Sequence, residues 1–523
     1  MSTPARSPDR DPRTTSDASR LGSGRLHDLL GVISLFAFSF LYFASAIFKA
    51  RHVHWQADEV FVLWMVRDIP TNQLVSAVSH GLEWLPPTYY FYLKEFCRFA
   101  GPSPLALRLP AIVGFYVTTI AIYHLLRGRF GAPVAAFAAV FPCLTEAGAT
   151  ATLARPYSIM TACFSLSLLL WVRSDPRRPS WWSAAGIATL LAFAISVHFT
   201  SVFFLLVFGL LELICSLQTR VIRWPLWIAF ATAGATLFLF WPVIAATHQT
   251  TVTAAASSGF YAHPSIGNLA STLCRMLTPP LLTLFLWIFL WIVAIRLIRR
   301  PSPQAPAPQS ANSPDASAAH RIDLAAAGAL FYPLIVFAIA ASITHVFNGR
   351  YTYIFILGLS VLIAHAIRRA PAADHLCFQL TLLTVLLFCL PAVGPQTDPR
   401  VELMQAAQKS LPILASEATD FFELQESAPP SLRSRIFYSQ MPVGVPNNDY
   451  DPERIAIAWK AFRPLQVVRA EQFFAQNPHF YLLYLSSDRE RIGSWILERA
   501  SVTCVAHTGP YYLLEVGDLH AGH

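Results

Sequence analysis

About eleven long apolar runs constrain what this 523-residue chain can fold into. An α-helix needs roughly 17–25 mainly apolar residues to cross the hydrocarbon core of a bilayer. Runs of this length alternate with short polar connections, so we predict an α-helical polytopic membrane protein with about 11 transmembrane helices. The runs lie at residues 29–48, 109–126, 130–147, 156–172, 181–197, 199–217, 224–246, 280–295, 324–343, 351–367 and 376–393.

The composition and the placement of arginines agree with a membrane location. Hydrophobic residues make up 54% of the chain and charged residues only 13%, whereas about a quarter of the residues in soluble domains are charged. The net charge of +8 does not indicate a nucleic-acid partner, because arginines such as Arg127 and Arg368 recur in every second connection. This positive-inside distribution predicts a multi-pass protein of the plasma (inner) membrane with a cytoplasmic N-terminus.

The same reasoning divides the chain into segments. Residues 1–28 are rich in Ser, Pro, Asp and Arg and are predicted to form a disordered cytoplasmic tail. Residues 29–393 form the predicted transmembrane domain, with a first outer loop at 49–108 and a Pro/Ala/Ser-rich cytoplasmic linker at 301–319. An odd number of spans places residues 396–523 outside the cytoplasm, on the same side as the first outer loop.

The C-terminal segment has the pattern of a small α/β domain. Charged residues become more frequent after residue 396, and short apolar runs alternate with stretches of helical period. The predicted strands lie at 435–441, 465–470, 480–485, 502–507 and 511–516, and the predicted helices at 452–462, 471–477 and 487–499.

Two adjacent carboxylates, Asp58 and Glu59, stand in the first outer loop. The apolar residues that follow recur at helical spacing, which predicts a short helix with one face on the membrane. Asp58 at the start of such a helix would lie at the water–lipid boundary and could act as a general base. Alternatively, both acids only cap the helix, because helix N-termini favour carboxylates. The spacing leaves both interpretations open.

Further polar and aromatic residues follow in the same loop, after which two prolines introduce an aromatic run. Most of these aromatics suit a membrane-interface belt, but His80, Glu83 and Tyr89 are candidates for substrate binding. His52, His54 and His80 do not have the spacing of a metalloprotease helix. We therefore predict no specific metal ligands and no certain cofactor, and leave a divalent metal ion open.

Three arginines depart from the positive-inside pattern. Arg108, Arg155 and Arg350 fall at the predicted outer ends of the second, fourth and tenth spans. Arginine keeps its charge in a partly desolvated site and makes bidentate contacts with phosphate, so the three suit a lipid-linked phosphate. Alternatively, each is an anchor whose long side chain reaches the interface.

These motifs, in this order and on this side of the membrane, resemble the GT-C type polytopic membrane glycosyltransferases of the protein O-mannosyltransferase and lipid A aminoarabinose transferase kind. The resemblance covers about residues 29–393. The motifs that carry it are Asp58-Glu59, His80 with Glu83 and Pro86-Pro87-Thr88-Tyr89-Tyr90, Arg108-Leu109-Pro110, Ala154-Arg155-Pro156-Tyr157 and Arg350-Tyr351.

The resemblance implies an inverting transfer of a sugar from a polyprenyl-phosphate-linked donor to a lipid, glycan or protein acceptor on the outer side of the membrane. It assigns the base to Asp58, with Glu59 beside it as support. It assigns phosphate binding to Arg155 and Arg350, with Arg108 a weaker candidate. Tyr157 and Tyr351, which follow these arginines within their motifs, complete the predicted substrate-binding residues.

Two other kinds of function remain open. A transporter or flippase for a lipid-linked glycan would also place charged residues around a lipid phosphate, although transporters carry midplane charges and repeats that the sequence does not suggest. An inactive scaffold that recruits partners through its C-terminal domain is a third possibility. His198 and His263 are predicted to lie on the outer side of the membrane, where a structural role is favoured over binding of the donor phosphate. The long connection at 249–278 is a candidate mobile cover over the site.

Overall fold

The computed structural model describes residues 13–175, 179–255, 262–277, 314–369, 373–389, 398–407, 410–445, 450–487 and 491–519. Within these ranges a helix bundle is followed by a mixed α/β domain. The predicted span at 280–295 lies outside the described residues. The first helix begins at Arg13, so residues 13–28 extend the first span as helix instead of forming the predicted disordered tail. A helix also begins at Pro314, inside the predicted linker.

Fifteen helices are described before residue 390, joined by short 3₁₀ turns at Thr71–Gln73, Phe141–Leu144, Thr150–Thr152, Phe199–Phe203 and Gly349–Thr352 and a π-turn at Ala340–Thr344. The helices are α1 (Arg13–His52), α2 (Ala57–Arg67), α3 (Leu74–Ser79), α4 (Pro87–Ala100), α5 (Pro104–Phe130), α6 (Ala132–Val140), α7 (Glu146–Ala149), α8 (Tyr157–Arg173), α9 (Trp181–Val197), α10 (Phe204–Thr219), α11 (Trp224–Ala255), α12 (Ile266–Leu277), α13 (Pro314–Ile339), α14 (Phe355–Arg368) and α15 (Ala373–Cys389).

Ten of the eleven predicted runs coincide with apolar helices in the described part of the chain. Five helical segments there are long and apolar enough to cross a membrane, namely Asp28–His52, Pro104–Phe130, Phe199–Thr219, Trp224–His248 and Ser317–Thr344. Four more predicted spans form shorter apolar helices, α8, α9, α14 and α15. The chain is thus a multi-pass membrane protein by length and composition.

The third predicted span is broken instead of continuous. Its two halves, Ala132–Leu144 and Glu146–Thr152, meet at an angle of 69°. Pro142 stands just before the break, and a proline removes a backbone donor that a continuing helix would use. Gly148 then lies so close to the backbone of Cys143 that an added Cβ would be 2.3 Å from the Cys143 oxygen. The bend therefore depends on this pair of residues.

Helices α5 and α8 pack closely, with Arg108 in α5 and Arg155 two residues before the start of α8. Gly114 of α5 faces the backbone of Ser158 and Ile159, and a Cβ there would lie 2.9 Å from it. Small residues permit such approaches between membrane helices. The close contact fixes the start of α5, with Arg108, beside the turn that leads through Arg155 into α8.

The apolar residues of helix α2 are buried on every face of the helix. Every residue from Val60 to Val66 is buried, so the predicted one-faced helix lying on the membrane is wrong. The C-terminal domain covers the face that was expected to meet solvent or lipid: Phe61 packs on Phe422, and Trp64 on Trp459, with ring centroids 4.7 and 5.2 Å apart. At the other end, the Lys94 ammonium of α4 donates to the carbonyl of Val66 (3.0 Å).

The C-terminal domain is built on a six-stranded sheet of order β3-β2-β1-β4-β6-β5, in which β1 to β4 are parallel and β6 and β5 antiparallel. Its elements are α16 (Pro399–Gln405), β1 (Ile413–Ala415), α17 (Ala418–Ser427), α18 (Pro430–Arg433), β2 (Ile436–Ser439), α19 (Tyr450–Trp459), β3 (Val467–Val468), α20 (Ala470–Gln476), β4 (Phe480–Leu485), α21 (Ile492–Leu497), β5 (Ala500–Thr508) and β6 (Tyr511–Leu519).

All five predicted strands overlap observed ones, but the central strand β1 was not predicted. Three apolar residues, Ile413 to Ala415, form it, and they are wholly buried between β2 and β4. So short a run gives no periodicity. Because the domain sits on α2, it lies on the same side of the helix bundle as the first outer loop.

Candidate active site

The start of α2 points two neighbouring carboxylates in different directions. Successive residues of an α-helix are about 100° apart around its axis. Glu59 therefore turns into the bundle, where its side chain is fully buried, while the Asp58 side chain remains 43% exposed. The same turn is closed by a capping box between Gln56 and Glu59. Glu59 is thus the acid that caps the helix, and Asp58 is free to face a cavity.

Glu59 forms a closed ion pair with Arg108. The guanidinium donates from Nε to Glu59 Oε1 (2.8 Å) and from Nη2 to Oε2 (2.6 Å). The other three N–H groups of Arg108 go to the carbonyls of Ala50, Val53 and His54. All five donors of this arginine are therefore used, and the Ala154 N–H adds a further bond to Glu59 (2.7 Å). The pair therefore joins the start of α5, residues 50–59 and the turn that precedes α8.

Arg155 follows Ala154 in the turn before α8 and is 8% exposed. Its Nη1 donates to Glu83 Oε1 (2.8 Å) and to the backbone carbonyl of Asp58 (3.2 Å). The second oxygen of Glu83 accepts from the N–H of Trp84 (2.9 Å). The buried Nε of Arg155 has no hydrogen-bond partner among the described residues. A buried donor without a partner is costly, so this group favours an anionic ligand.

Arg350 is the third candidate arginine and lies 292 residues after Asp58 in the chain. It stands in the 3₁₀ turn Gly349–Thr352, where the Asn348 side chain accepts from its backbone N–H (3.0 Å). Its Nη1 donates to Asp58 Oδ2 (2.6 Å), and its guanidinium lies 5.9 Å from the centre of the Tyr157 ring. Desolvation would raise the pKa of the Asp58 carboxyl, but the charges of Arg155 and Arg350 outweigh it and lower this pKa.

Asp58, Glu83 and Arg155 border a cavity of about 290 Å³ between the bundle and the C-terminal domain. That volume is near the lower end for small-molecule sites. The floor and walls come from the bundle, and the roof comes from α17 and α19. Among the lining residues are Asp58, Phe61, Glu83, Trp84, Arg155, Tyr157, His198, Asn348, Tyr351, Thr419, Phe422, Pro452 and Ile455.

His198 is a cavity residue that the sequence alone did not favour. Burial lowers its pKa to about 3, with a further contribution from the charge of Arg155, so the imidazole is neutral. The N–H of Thr200 donates to Nδ1 (3.3 Å), which places the ring proton on Nε2. His198 therefore offers the cavity an uncharged donor beside Tyr351, whose ring centre is 5.0 Å away.

The structure does not bring every predicted site residue to the cavity. Arg108 is enclosed by its own partners, as described above. His80 is exposed at the end of α3 and bonds to the carbonyl of Ser76 (2.7 Å). Tyr89 is buried in α4 against Tyr90. Neither of them, nor His263, is among the described residues that line the cavity. The predicted cover at 249–278 is described only in part.

The remaining predictions agree in position with the cavity. Asp58, Glu83, Arg155, Tyr157 and Tyr351 line it, and Arg350 reaches it through Asp58. A group of three or more His, Cys, Asp or Glu residues suited to a metal ion does not occur among the described residues. The divalent ion left open by the sequence remains an expectation only.

A family model described as dolichyl-phosphate-mannose-protein mannosyltransferase matches residues 85–246, the part that contains Arg108, Arg155 and His198. No curated protein matches the chain in sequence.

The fold is that of ArnT from Cupriavidus metallidurans, whose structures bound to undecaprenyl phosphate and in the apo state both match. Each is 12% identical to this chain, has a TM-score of 0.51, and aligns over 92% of this chain and 97% of its own.

The oligosaccharyltransferase AglB from Archaeoglobus fulgidus, in complex with an inhibitory peptide and a dolichol-phosphate, is also similar. It is 11% identical over 88% of this chain and 69% of its own, with a TM-score of 0.38. The motifs, the family match and the ArnT fold together confirm that this chain resembles the GT-C type polytopic membrane glycosyltransferases.

Proposed function

We propose that the protein is a membrane glycosyltransferase that moves a sugar from a polyprenyl-phosphate-linked donor to a lipid, glycan or protein acceptor. The reaction inverts the anomeric carbon and takes place on the outer side of the plasma membrane, with Asp58 as the general base. One observation carries this proposal: the Asp58 carboxylate and the incompletely bonded guanidinium of Arg155 border the same cavity.

The cationic side of the cavity suits the donor phosphate. Transfer breaks the bond between the anomeric carbon and the phosphate oxygen, and the electron pair leaves with the phosphate. Arg155 can stabilise the charge that develops there, because its guanidinium is buried and already fixed by Glu83. The neutral Nε2–H of His198 and the ring of Tyr351 lie on the same wall and can hold the sugar or the phosphate.

The carboxylate suits the acceptor. An acceptor hydroxyl attacks the anomeric carbon on the face opposite the phosphate, and its proton passes to Asp58. Attack from the opposite face inverts the configuration at that carbon. Trp84 and Phe422 also border the cavity, and the apolar faces of aromatic rings can pack against a sugar ring.

Arg350 links the two halves of this mechanism. It pairs with Asp58, and this pairing helps keep the pKa of the carboxyl low. A donor phosphate that takes hydrogen bonds from Arg350 would weaken that pair. The pKa of Asp58 would then rise, and the carboxylate would become a better proton acceptor when the donor is in place.

The test measures release of undecaprenyl phosphate from undecaprenyl-phosphate sugars, because this product is the same for every sugar and acceptor. A panel of hexose, pentose and aminopentose donors is given to the purified protein with lipid, glycan and peptide acceptors. Asp58→Asn should lower turnover by about 10²- to 10⁴-fold, the usual contribution of a general base. Asp68→Asn, the same change at the C-terminal end of α2, is the control and should leave turnover near wild type.

Wild-type turnover by the Asp58→Asn protein would remove this residue from the mechanism. Movement of intact donor across vesicle membranes without release of undecaprenyl phosphate would instead support a flippase. Sidedness is tested with Cys504, which is exposed in β5. A membrane-impermeant maleimide should label it in spheroplasts of a Cys274→Ser variant, and protection until lysis would contradict the outer location.

A further inference from the structure

The first turn of α2 receives a hydrogen bond from the C-terminal domain. The N–H of Ala57, the residue before Asp58, donates to Glu423 Oε1 (2.8 Å). The first N–H groups of a helix have no partner within the helix, and a carboxylate there also interacts favourably with the helix dipole. Glu423 stands on α17, which contributes Thr419 and Phe422 to the cavity roof.

The other carboxylate oxygen of Glu423 is bonded within the C-terminal domain. The Nη2 of Arg400 donates to Glu423 Oε2 (2.6 Å), and Arg400 is held in turn by Asp398 and Asp420. The Arg400 side chain is 4% exposed. Both oxygens of Glu423 are therefore committed, one to the α2 backbone and one to a buried arginine. A side chain held in this way has little freedom to follow movements of α2.

Asp58 is consequently positioned from two sides. From the bundle, Arg155 donates to its backbone carbonyl (3.2 Å) and Arg350 to its carboxylate. From the C-terminal domain, Glu423 holds the preceding N–H. We infer that Glu423 is a positioning residue for the base, so that the C-terminal domain is part of the catalytic unit. This inference rests on the proposed function, in which Asp58 takes the acceptor proton.

The same helix provides a matched comparison. Glu426 also binds α2, but it accepts from the indole N–H of Trp64 (2.7 Å) and from Arg67 Nη2 (2.7 Å), in the second half of the helix. Removing Glu426 weakens the contact between the domains without touching the turn that holds Asp58. A role in docking alone would make the two glutamates equivalent, whereas a positioning role makes only Glu423 important for turnover.

The experiment compares Glu423→Ala, Glu423→Gln and Glu426→Ala in the full-length protein, with undecaprenyl phosphate release as the assay. Glu423→Ala should lower kcat by about 10- to 100-fold, the effect of a small misplacement of a reacting group, with an unchanged KM for the donor. Glu423→Gln keeps an oxygen acceptor for the Ala57 N–H and should recover kcat to within a few-fold of wild type. Glu426→Ala should leave kcat near wild type.

Hydrogen–deuterium exchange gives a readout that does not depend on activity. Exchange in a peptide covering residues 55–61 should increase in Glu423→Ala and not in Glu426→Ala. Should Glu423→Ala fail to fold, Glu423→Asp retains the charge near Arg400 while its shorter side chain loses the bond to Ala57, and it should show the same two effects.

Equal losses of kcat in the two alanine variants, or unchanged exchange at residues 55–61 in Glu423→Ala, would overturn the inference. Its failure can be told apart from failure of the proposed function. An inactive Asp58→Asn protein together with a fully active Glu423→Ala protein refutes only the positioning role, whereas an active Asp58→Asn protein refutes the base itself.

Discussion

Asp58 and Glu59 are neighbours with the same chemistry, each paired with an arginine, yet their surroundings are opposite. The Glu59–Arg108 pair is almost inaccessible to solvent, with every guanidinium donor used. The Asp58–Arg350 pair is partly open, with 43% of the aspartate side chain and 27% of the arginine side chain exposed. One turn of helix therefore carries a structural ion pair on one face and a pair that a ligand can rearrange on the other.

The two ion pairs differ in what happens when each one is broken. Breaking the Glu59 pair leaves a charge buried without a partner, which is strongly unfavourable. Breaking the Asp58 pair leaves both groups next to a cavity that a charged ligand can enter. A buried, saturated pair thus fixes the position of α2, while the accessible pair on the same helix is available for chemistry. Substitutions in the two pairs, and of Arg155 beside the accessible one, test this contrast.

The largest effect is expected from the closed pair. Arg108→Met should lower the free energy of unfolding by about 3–5 kcal/mol, because Glu59 then remains buried without its cation. Thermal unfolding in detergent measures the loss. The double variant Arg108→Met/Glu59→Gln removes both charges and should recover part of the stability, and Asp58→Asn should melt close to wild type. A single variant as stable as wild type would contradict the structural role of this pair.

An intermediate effect is expected at Arg155. Arg155→Gln should weaken binding of undecaprenyl phosphate by about 10- to 150-fold, which corresponds to the loss of a hydrogen bond to a charged group. Equilibrium binding of the radiolabelled lipid measures it. Glu83→Gln is the matched control: it keeps the arginine but removes the competing carboxylate, so binding should be equal or tighter. Unchanged affinity in Arg155→Gln would exclude this arginine as a phosphate ligand.

The smallest expected effect is a shift in the pH dependence of turnover. Asp58 must be ionised to accept a proton, so turnover falls as pH drops through its pKa. Because Arg350 helps to lower that pKa, Arg350→Ala should move the acid limb of kcat/KM for the donor to higher pH. Arg350→Lys keeps the charge and should move it less. A limb that stays in place in both variants would show that the pair does not set the ionisation of the base.

Much of the membrane architecture could be predicted from hydrophobic length alone. Lipid-exposed spans require long uninterrupted apolar sequence, and α1, α5 and α11 follow this rule. The break after Pro142 was harder to predict, because it depends on Gly148 packing against the Cys143 backbone as well as on the proline. Local sequence shows such a bend only weakly.

The candidate site was only partly predictable, and Arg108 shows why. An arginine near a helix end, with a proline two residues later, fits a ligand-binding role as well as a structural one. Only the fold shows that three carbonyls and Glu59 use all its donors. The contribution of Phe422 and Glu423 was missed for a related reason, since both lie more than 360 residues from Asp58 in the chain. No local pattern connects positions so distant.

The cavity described above is lined by residues from Ala57 to Ile455, and this spread has a consequence for biosynthesis. Domains generally fold from the N-terminus as the ribosome delivers the chain, so the bundle can insert while the roof is still unsynthesised. A nascent polypeptide interrupted before Pro452 would hold its helices in the bilayer yet lack part of the cavity roof. Under the proposed function, turnover therefore requires the last domain to be complete and packed on α2.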